Sequence, residues 1–216
     1  MSVLEAAGPV RTAHAALLDC ERAGHERGLA VGLAAALDAV WTPEAGGTPA
    51  PPGRVAALPA DRVAAGAEVV PHRMATLEGV AFVRCEPAPA AAAERLTAFG
   101  ALLGAVRLGV SRRLLEWAVE HLSGRTVEGQ PTIRKQLVLG TLADVLTGVE
   151  AARRGLLVAG TMPAAVVDVH DRITELDWET AKLLGASGMI TDSPSRGGYV
   201  SRLTANCWIR REDGVL

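Results

Sequence analysis

The chain has 216 residues, of which 49% are hydrophobic and 21% are charged, and its formal net charge is -2 at pH 7. This balance predicts a folded globular protein with enough chain for a substantial core, and it excludes a disordered polymer. A charge so close to neutral gives no indication of a general nucleic-acid-binding or membrane-surface protein, and no run of about 18 apolar residues predicts a membrane span.

The cysteine pattern and the N-terminus both point to the cytoplasm. Cys20, Cys85 and Cys207 are widely separated, odd in number and without a CxxC pair or a nearby histidine cluster. We interpret them as reduced thiols, not as disulfides or zinc ligands, so no metal is expected. The first residues contain no basic region followed by an apolar run, so they predict no signal peptide.

The first 87 residues predict three small units. Residues 1–41 have apolar residues at helical spacing and predict short helices broken near Gly24 and Gly28. Residues 42–53, TPEAGGTPAPPG, hold four prolines and three glycines and predict a linker or surface loop. Residues 54–87 contain three Val-rich runs that predict strands. Three such strands are too few for their own core, so we expect them to pack on the helices or on another chain.

Residues 88–216 predict a bundle of four long helices, over about 93–123, 132–155, 163–184 and 195–211. We expect Pro131 in the first turn of the second helix and Gly155 at its end. The sequence GASG at 185–188 predicts the end of the third helix. Short turns between long helices favour an up-and-down arrangement, so the fold class is mostly α. Close helix packing explains three glycines in the first helix, and we expect three tryptophans in packing positions: Gly100, Gly104, Gly109, Trp117, Trp178, Trp208.

Two turns in this region carry an ordered set of motif residues. The first turn has Arg125, Gly129 and Pro131, followed by Gln136 and then by Leu-Ala-Asp at 142–144. The second runs from Lys182 through Gly185, Ala186 and Ser187 to Gly188, followed by a proline and an arginine. In order and spacing, residues 94–211 resemble the C-terminal helical domain of the acyl-CoA dehydrogenase family. Residues 54–87 resemble the last strands of that family's middle β-domain, and residues 1–41 resemble a shortened form of its N-terminal helices.

The resemblance implies a bound FAD and a set of residues that contact it. Arg125 is the first candidate for the flavin pyrophosphate, because a guanidinium presents paired donors to phosphate. The other cofactor-binding candidates are Gly129, Gln136, Lys182, Gly185 and Gly188. Three positions depart from the family pattern and leave the presence of FAD open: Glu128 in place of Phe, Lys182 in place of Gln and Ala186 in place of Gly.

The resemblance also implies a carboxylate base, at one of two places. In most of the family it follows the last bundle helix, where this chain has Glu212 and Asp213. In another branch it begins the first long helix in a Glu-Arg-Leu context, which Glu94 reproduces. The alternative for Glu94 is a first-turn acid that the helix dipole stabilises.

We therefore weigh three functions for the chain. The first is an FAD-dependent oxidoreductase subunit that acts on the Cα–Cβ bond of an acyl thioester and completes its site with a longer acyl-CoA dehydrogenase-like chain. The second is a flavin-free catalyst on the same scaffold, for cyclisation or dehydration in secondary metabolism. The third is a non-catalytic partner subunit of a dehydrogenase. The residues favour the first, and uncovered apolar stripes predict a homo- or hetero-oligomer.

Overall fold

The computed structural model describes residues 3–41, 49–89, 92–190 and 192–209. The helices are α1 Val3–Arg27, α2 Leu29–Val40, α3 Arg73–Leu77, α4 Ala93–Gly124, α5 Gln136–Ala159, α6 Pro163–Leu183 and α7 Ser195–Trp208. The strands are β1 Val55–Pro59, β2 Val69–Val70, β3 Val80–Arg84, β4 Thr126–Val127 and β5 Gln130–Pro131. Short 3-10 turns cover 60–62, 132–134 and 185–189. The predicted mostly α fold with a four-helix bundle, formed by α4 to α7, is confirmed.

Helix α4 lies at the centre of the fold. Every residue from 101 to 110 is buried, because α1 and α2 cover one side of α4 while α5, α6 and α7 cover the other. A helix that is apolar all round is one that is buried all round, and this stretch contains a single charged residue, Arg107. The central part of α4 therefore forms the core to which the other helices are attached.

Glycines bring α1 and α4 into backbone contact, as predicted for Gly109. A Cβ at Gly109 would lie 2.1 Å from the carbonyl oxygen of Glu21, and one at Gly24 would lie 2.3 Å from the carbonyl oxygen of Val106. Neither position has room for a methyl group. An ionic cluster fixes the same crossing, since the buried Glu21 binds Arg153 of α5 and lies 3.1 Å from Arg112. Burial opposes ionisation of Glu21, but its hydrogen bonds to the two guanidinium groups outweigh burial and lower its pKa.

The predicted strands form an antiparallel sheet of order β1-β3-β2, with Ala57 of β1 opposite Phe82 of β3. The sheet packs on the bundle, as expected. The fully buried Trp208 of α7 donates a hydrogen bond from Nε1 to the carbonyl oxygen of Ala57 over 2.8 Å, and its ring lies 4.7 Å from that of Phe99. Among the described residues the three cysteines are free thiols, and no helix there is long and apolar enough to cross a membrane.

Several details differ from the sequence prediction. Helix α5 begins at Gln136, because Pro131 is paired with Thr126 in the β4–β5 hairpin. It runs past Gly155, whose absent side chain leaves room for Val169 of α6. In the first region only Gly28, with φ 87°, separates two helices.

Of the three tryptophans, Trp208 is buried as expected and Trp117 packs against a small cluster at the α6 end. Trp178 was wrongly predicted to pack between helices, because 56% of its surface is exposed beside a cavity. Residues 42–48 of the predicted linker and 210–211 of the predicted last helix lie outside the described residues.

Candidate functional site

A tight hairpin connects α4 to α5. Its central residues, Glu128 and Gly129, both have positive φ, at 55° and 76°, which corresponds to the type I′ turn preferred in two-residue hairpins. The backbone N–H of Thr132 donates to the carbonyl oxygen of Arg125 over 2.7 Å and closes the hairpin. Glycine suits this conformation, whereas Glu128 adopts it at a cost of about 1 kcal/mol.

Five residues of this connection are exposed, and we call the surface that they form the hairpin face: Arg125, Glu128, Gly129, Gln136, Leu137. Arg125 is the C-cap residue of α4, and its guanidinium makes no ion pair within the described part of the chain. Leu137 has 86% of its surface exposed. The hairpin face therefore combines a free cation with uncovered apolar surface.

The glycine turn after α6 lies at the same end of the bundle. Leu184 packs against Leu114 and Ala118 of α4, and Ala118 is seven residues before Arg125, or roughly 10 Å along the helix. Gly185 has φ 57° and open space where a side chain would be, whereas a Cβ at Gly188 would lie 2.4 Å from the carbonyl oxygen of Ala181. A tight backbone approach thus explains Gly188, but not Gly185.

Lys182, in the last turn of α6, is exposed and binds Glu179 over 2.6 Å. The two residues lie on the same helix face, three positions apart, so the carboxylate offsets the lysine charge. Compared with Arg125, Lys182 offers less uncompensated charge to an anionic ligand.

Glu94, the one candidate base among the described residues, lies at the opposite end of α4. Glu94 is exposed in the first turn of α4, and the 31 residues to Arg125 correspond to about 45 Å of helix. Glu212 and Asp213 lie outside the described residues. The last described residue, Ile209, packs beside Gly100, which is two turns of α4 from Glu94. Glu94 and Arg125 of one chain are therefore too far apart to contact one small molecule.

A buried polar network is centred on Arg107, which is 1% exposed and was not predicted to be a functional residue. Its guanidinium donates to Ser201 Oγ over 3.2 Å, to Thr174 Oγ1 over 2.9 Å and to the carbonyl oxygen of His170 over 3.0 Å. It also donates to His170 Nδ1 over 3.0 Å, and His170 Nε2 lies 2.9 Å from the carbonyl oxygen of Gly100. Nδ1 must accept and Nε2 must donate, so these contacts assign His170 the neutral Nε2–H tautomer.

Asp177 is the acidic member of this network. Its Oδ1 accepts a 2.5 Å hydrogen bond from Ser111 Oγ, and its Oδ2 lies 3.9 Å from Arg107 Nη2. That separation is too long for a hydrogen bond, and Oδ2 has no hydrogen-bond partner among the described residues. Burial raises the pKa of Asp177 to about 6, against the opposing effects of the Arg107 charge and the Ser111 hydrogen bond.

A cavity of about 490 Å³ opens beside Asp177, between α6, α7, α3 and the glycine turn. We call it the Asp177 cavity, and its lining includes Met74, Asp177, Trp178, Ile190, Tyr199 and Arg202. Gly198 of α7 leaves the space for the carboxylate, because a Cβ there would lie 3.1 Å from Asp177 Oδ2. Of the proposed cofactor residues, only Gly188 borders this cavity.

A pattern in α6 could have indicated the network. His170, Thr174 and Asp177 follow one another at four and three positions, which places three polar groups on one face of a helix whose other buried residues, apart from Thr180, are apolar. Arg107 and Ser111 have the same four-residue spacing in α4. Within the described residues, no group of three or more His, Cys, Asp or Glu side chains could hold a metal ion.

One family model matches most of the bundle. Residues 90–186 match the family model of the acyl-CoA dehydrogenase C-terminal domain. No curated protein matches the chain.

Solved structures share the fold at low identity. Butyryl-CoA dehydrogenase from Megasphaera elsdenii aligns with a TM-score of 0.53 and 16% identity, over 71% of this chain and 45% of its own. A Mycobacterium smegmatis glutaryl-CoA dehydrogenase in complex with FADH2 aligns with a TM-score of 0.53 and 17% identity, over 64% of this chain and 42% of its own. A glutaryl-coenzyme A dehydrogenase in complex with glutaryl-CoA aligns with a TM-score of 0.51 and 18% identity, over 65% of this chain and 43% of its own. The chain thus spans less than half the length of these proteins. Residues 90–186 are thus similar to the acyl-CoA dehydrogenase C-terminal domain, and the chain has the helical fold of that domain.

Proposed function

We propose that the chain is an acyl-CoA dehydrogenase-like subunit that acts, with FAD and a longer partner chain, on the Cα–Cβ bond of an acyl thioester. The observation that carries this proposal is the separation of its candidate residues along α4. The cofactor candidate Arg125, at the C-terminal end of α4, and the base candidate Glu94, in its first turn, lie about 45 Å apart. A site that contains both Arg125 and Glu94 therefore requires two chains, with the Arg125 end of one bundle close to the Glu94 end of the other.

The hairpin face has properties that fit a flavin. Arg125 has an uncompensated guanidinium, Gln136 has an exposed amide, and Gly129 and Gly185 have open space in place of a side chain. These groups would hold the phosphates and polar edges of FAD, and the exposed Leu137 would be covered by the partner chain. A bound flavin would supply an acceptor for the β-hydrogen of the substrate, which leaves as hydride.

The base that takes the α-proton is proposed among Glu94, Glu212 and Asp213. A general base must reach the proton and have a pKa near the working pH, which calls for an apolar surrounding. Glu94 is exposed in the isolated chain, so its role depends on a partner that covers it. An acyl thioester bound against the α4 N-terminus of one chain would place this acid in a desolvated site.

The test is the visible absorbance spectrum of the chain purified with its co-expressed partner. We expect flavin in the complex, and we expect Arg125→Ala to weaken flavin binding by about tenfold to a hundredfold, because charge-assisted hydrogen bonds are lost. Arg54→Ala, which removes an exposed arginine from the sheet region, is the matched control and should leave flavin content unchanged. A colourless complex, or an equal loss of flavin in both variants, would contradict the proposal.

Glu128 favours a second candidate, the flavin-free catalyst. It places a carboxylate at the tip of the hairpin, where a phosphate-bearing ligand would be repelled. Turnover by the isolated, colourless chain that disappears in Glu94→Gln and persists in Glu128→Gln would support this candidate against the first.

A further inference from the structure

Among the described residues, four charged side chains line the Asp177 cavity, and three of them offer a ligand no uncompensated charge. Glu175 binds Arg172 over 3.3 Å, and Arg196 binds Glu78 over 2.7 Å. The carboxylate of Asp177 is buried in the polar network, and its Oδ2 atom is closed to solvent. The charge that a ligand would meet is therefore set by the fourth side chain.

That side chain is Arg202 of α7, and its positive charge is uncompensated. It makes no ion pair with any residue that the structure describes, and its helix, Ser195–Trp208, contains no Asp or Glu. Its guanidinium lies over the ring of Tyr199, 5.6 Å from the ring centre. A guanidinium attracted to an aromatic face keeps the N–H donors in its own plane available. Arg202 therefore gives the cavity a cation with unused donors.

The ring under Arg202 is itself held in place. It stacks on the imidazole of His72, with the ring centres 6.1 Å apart and the planes at 27°. His72 in turn caps α3, because its Nδ1 accepts a hydrogen bond from the backbone N–H of Ala75 over 3.1 Å. A charged group that is positioned before binding loses less freedom when a ligand arrives. Tyr199 thus serves as a support for the cation and not as a surface for the ligand.

The remaining lining of the cavity is largely apolar. Trp178 and Ile190 border the cavity and each expose more than half of their surface, and Met74 and Ala181 lie beside them. An apolar ligand that covered these side chains would remove their surface from water. A volume of about 490 Å³ falls within the usual range for small-molecule pockets. The lining therefore favours a small molecule with an apolar body and a negatively charged group.

The size of the charge favours a carboxylate over a phosphate. One guanidinium compensates one negative charge, and a carboxylate carries one and can accept two parallel hydrogen bonds from the guanidinium. A phosphate monoester carries nearly two negative charges at neutral pH. Its second charge would have no cation to balance it and would lie in a cavity that Glu175 also lines.

We propose that the Asp177 cavity binds an apolar monocarboxylic acid whose carboxylate pairs with Arg202 and whose apolar body covers Trp178 and Ile190. Tyr199 is a positioning residue that acts through Arg202. The ligand is a free acid, in contrast to the acyl thioester of the proposed dehydrogenase reaction, and its binding requires neither FAD nor a partner chain.

The test uses two probes of nearly equal shape on the isolated full chain. The first is 2-naphthoic acid, and the second is 2-naphthamide, which keeps the rings but carries no charge. Titration calorimetry at about pH 8 keeps the acid ionised, since an ordinary carboxyl group has a pKa near 4. We expect the acid to bind about fivefold to thirtyfold more tightly than the amide, between the values for an exposed ion pair and a buried charged hydrogen bond.

Three variants locate the binding. Arg202→Gln should reduce the preference for the acid to within about twofold, because the charge is lost. Arg154→Gln removes an exposed arginine from α5, which contributes no residue to the cavity lining, and should change neither affinity. Trp178→Ala should weaken both probes while keeping the preference between them, because it removes apolar surface and no charge.

A matched pair of variants tests the support under Arg202. Tyr199→Phe keeps the aromatic ring and should keep the preference for the acid, whereas Tyr199→Leu removes the ring and should lower that preference by about twofold or more. An unchanged preference in Tyr199→Leu would contradict the positioning role.

Equal binding of the two probes to the unaltered chain, or no binding of 2-naphthoic acid, would overturn the proposal. A full preference retained in Arg202→Gln would overturn it as well, and so would tighter binding of 2-naphthyl phosphate than of 2-naphthoic acid. Because flavin is absent from this assay, failure here leaves the proposed dehydrogenase function intact, and failure of flavin binding leaves this site intact.

Discussion

Replacing Asp177 with asparagine tests which force controls the buried network. The carboxylate is pulled toward ionisation by Arg107 at 3.9 Å and by Ser111 at 2.5 Å, and it is pushed away from ionisation by burial. Burial is the largest of these effects, and the pKa rises from 3.8 to about 6. An asparagine side chain at this position would resemble the protonated acid in shape and charge, so the variant reports the free energy of the ionised form.

The sign and size of the effect follow from proton linkage. Between pH 3.8 and about 6 the folded chain holds a proton on Asp177 that the unfolded chain has released, so stability falls as the pH rises through this window. A shift of about two pKa units corresponds to roughly 3 kcal/mol. We therefore expect Asp177→Asn to be more stable than the unaltered chain by roughly 3 kcal/mol at about pH 8. Near pH 4 the gain should shrink to under about 1 kcal/mol.

Urea unfolding at several pH values, followed by far-ultraviolet circular dichroism, measures both curves. The difference between the two proteins at each pH isolates Asp177, because every other acid titrates in both. Asp168→Asn, on the exposed side of α6, should shift stability by no more than about 0.5 kcal/mol at any pH. An Asp177→Asn chain that becomes less stable than the unaltered chain as the pH rises would refute the reasoning, since attraction to Arg107 would then outweigh burial.

Three further outcomes test the packing and the exposed surface. Gly109→Ala should lower the free energy of unfolding by about 1–3 kcal/mol in thermal or urea unfolding, since its methyl group would meet backbone atoms of α1. The control Gly140→Ala, with open space around it, should raise the free energy of unfolding by up to about 1 kcal/mol. Equal shifts in the two variants would contradict the close contact between α1 and α4. Trp208→Phe should cost about 1–3 kcal/mol in the same assay, because the carbonyl of Ala57 loses its donor, and an unchanged midpoint would argue against that bond. Leu137→Glu should reduce co-purification of the partner chain, and full retention would place the interface elsewhere.

Helical periodicity predicted most of the bundle. Apolar spacing predicted α4, α6 and α7 close to their observed limits, and the close approach at Gly109 was expected from a glycine in an otherwise apolar helix. The start of α5 was wrong, because proline is favoured both in a first helical turn and at the edge of a short hairpin. Whether Pro131 lies in a helix or in a hairpin depends on Glu128, which adopts a positive φ that its residue type disfavours.

The polar network could not be assembled from local spacing alone. Its members come from α4, α6 and α7, and their meeting depends on how far each helix is rotated and shifted against the others. Trp178 was mistaken for a packing residue for the same reason, since a one-residue rotation on a helix exchanges an inward position for the wall of a cavity. The family motifs, in contrast, depend on order along the chain and could be recognised before the fold was known.

The measurement that tests the proposed function most directly is the flavin content of the complex between this chain and its longer partner. The proposal predicts bound flavin in the unaltered complex and a loss of about tenfold or more in flavin affinity on Arg125→Ala, with Arg54→Ala unchanged. A stable complex that contains no flavin, or one whose flavin is insensitive to Arg125, would contradict it.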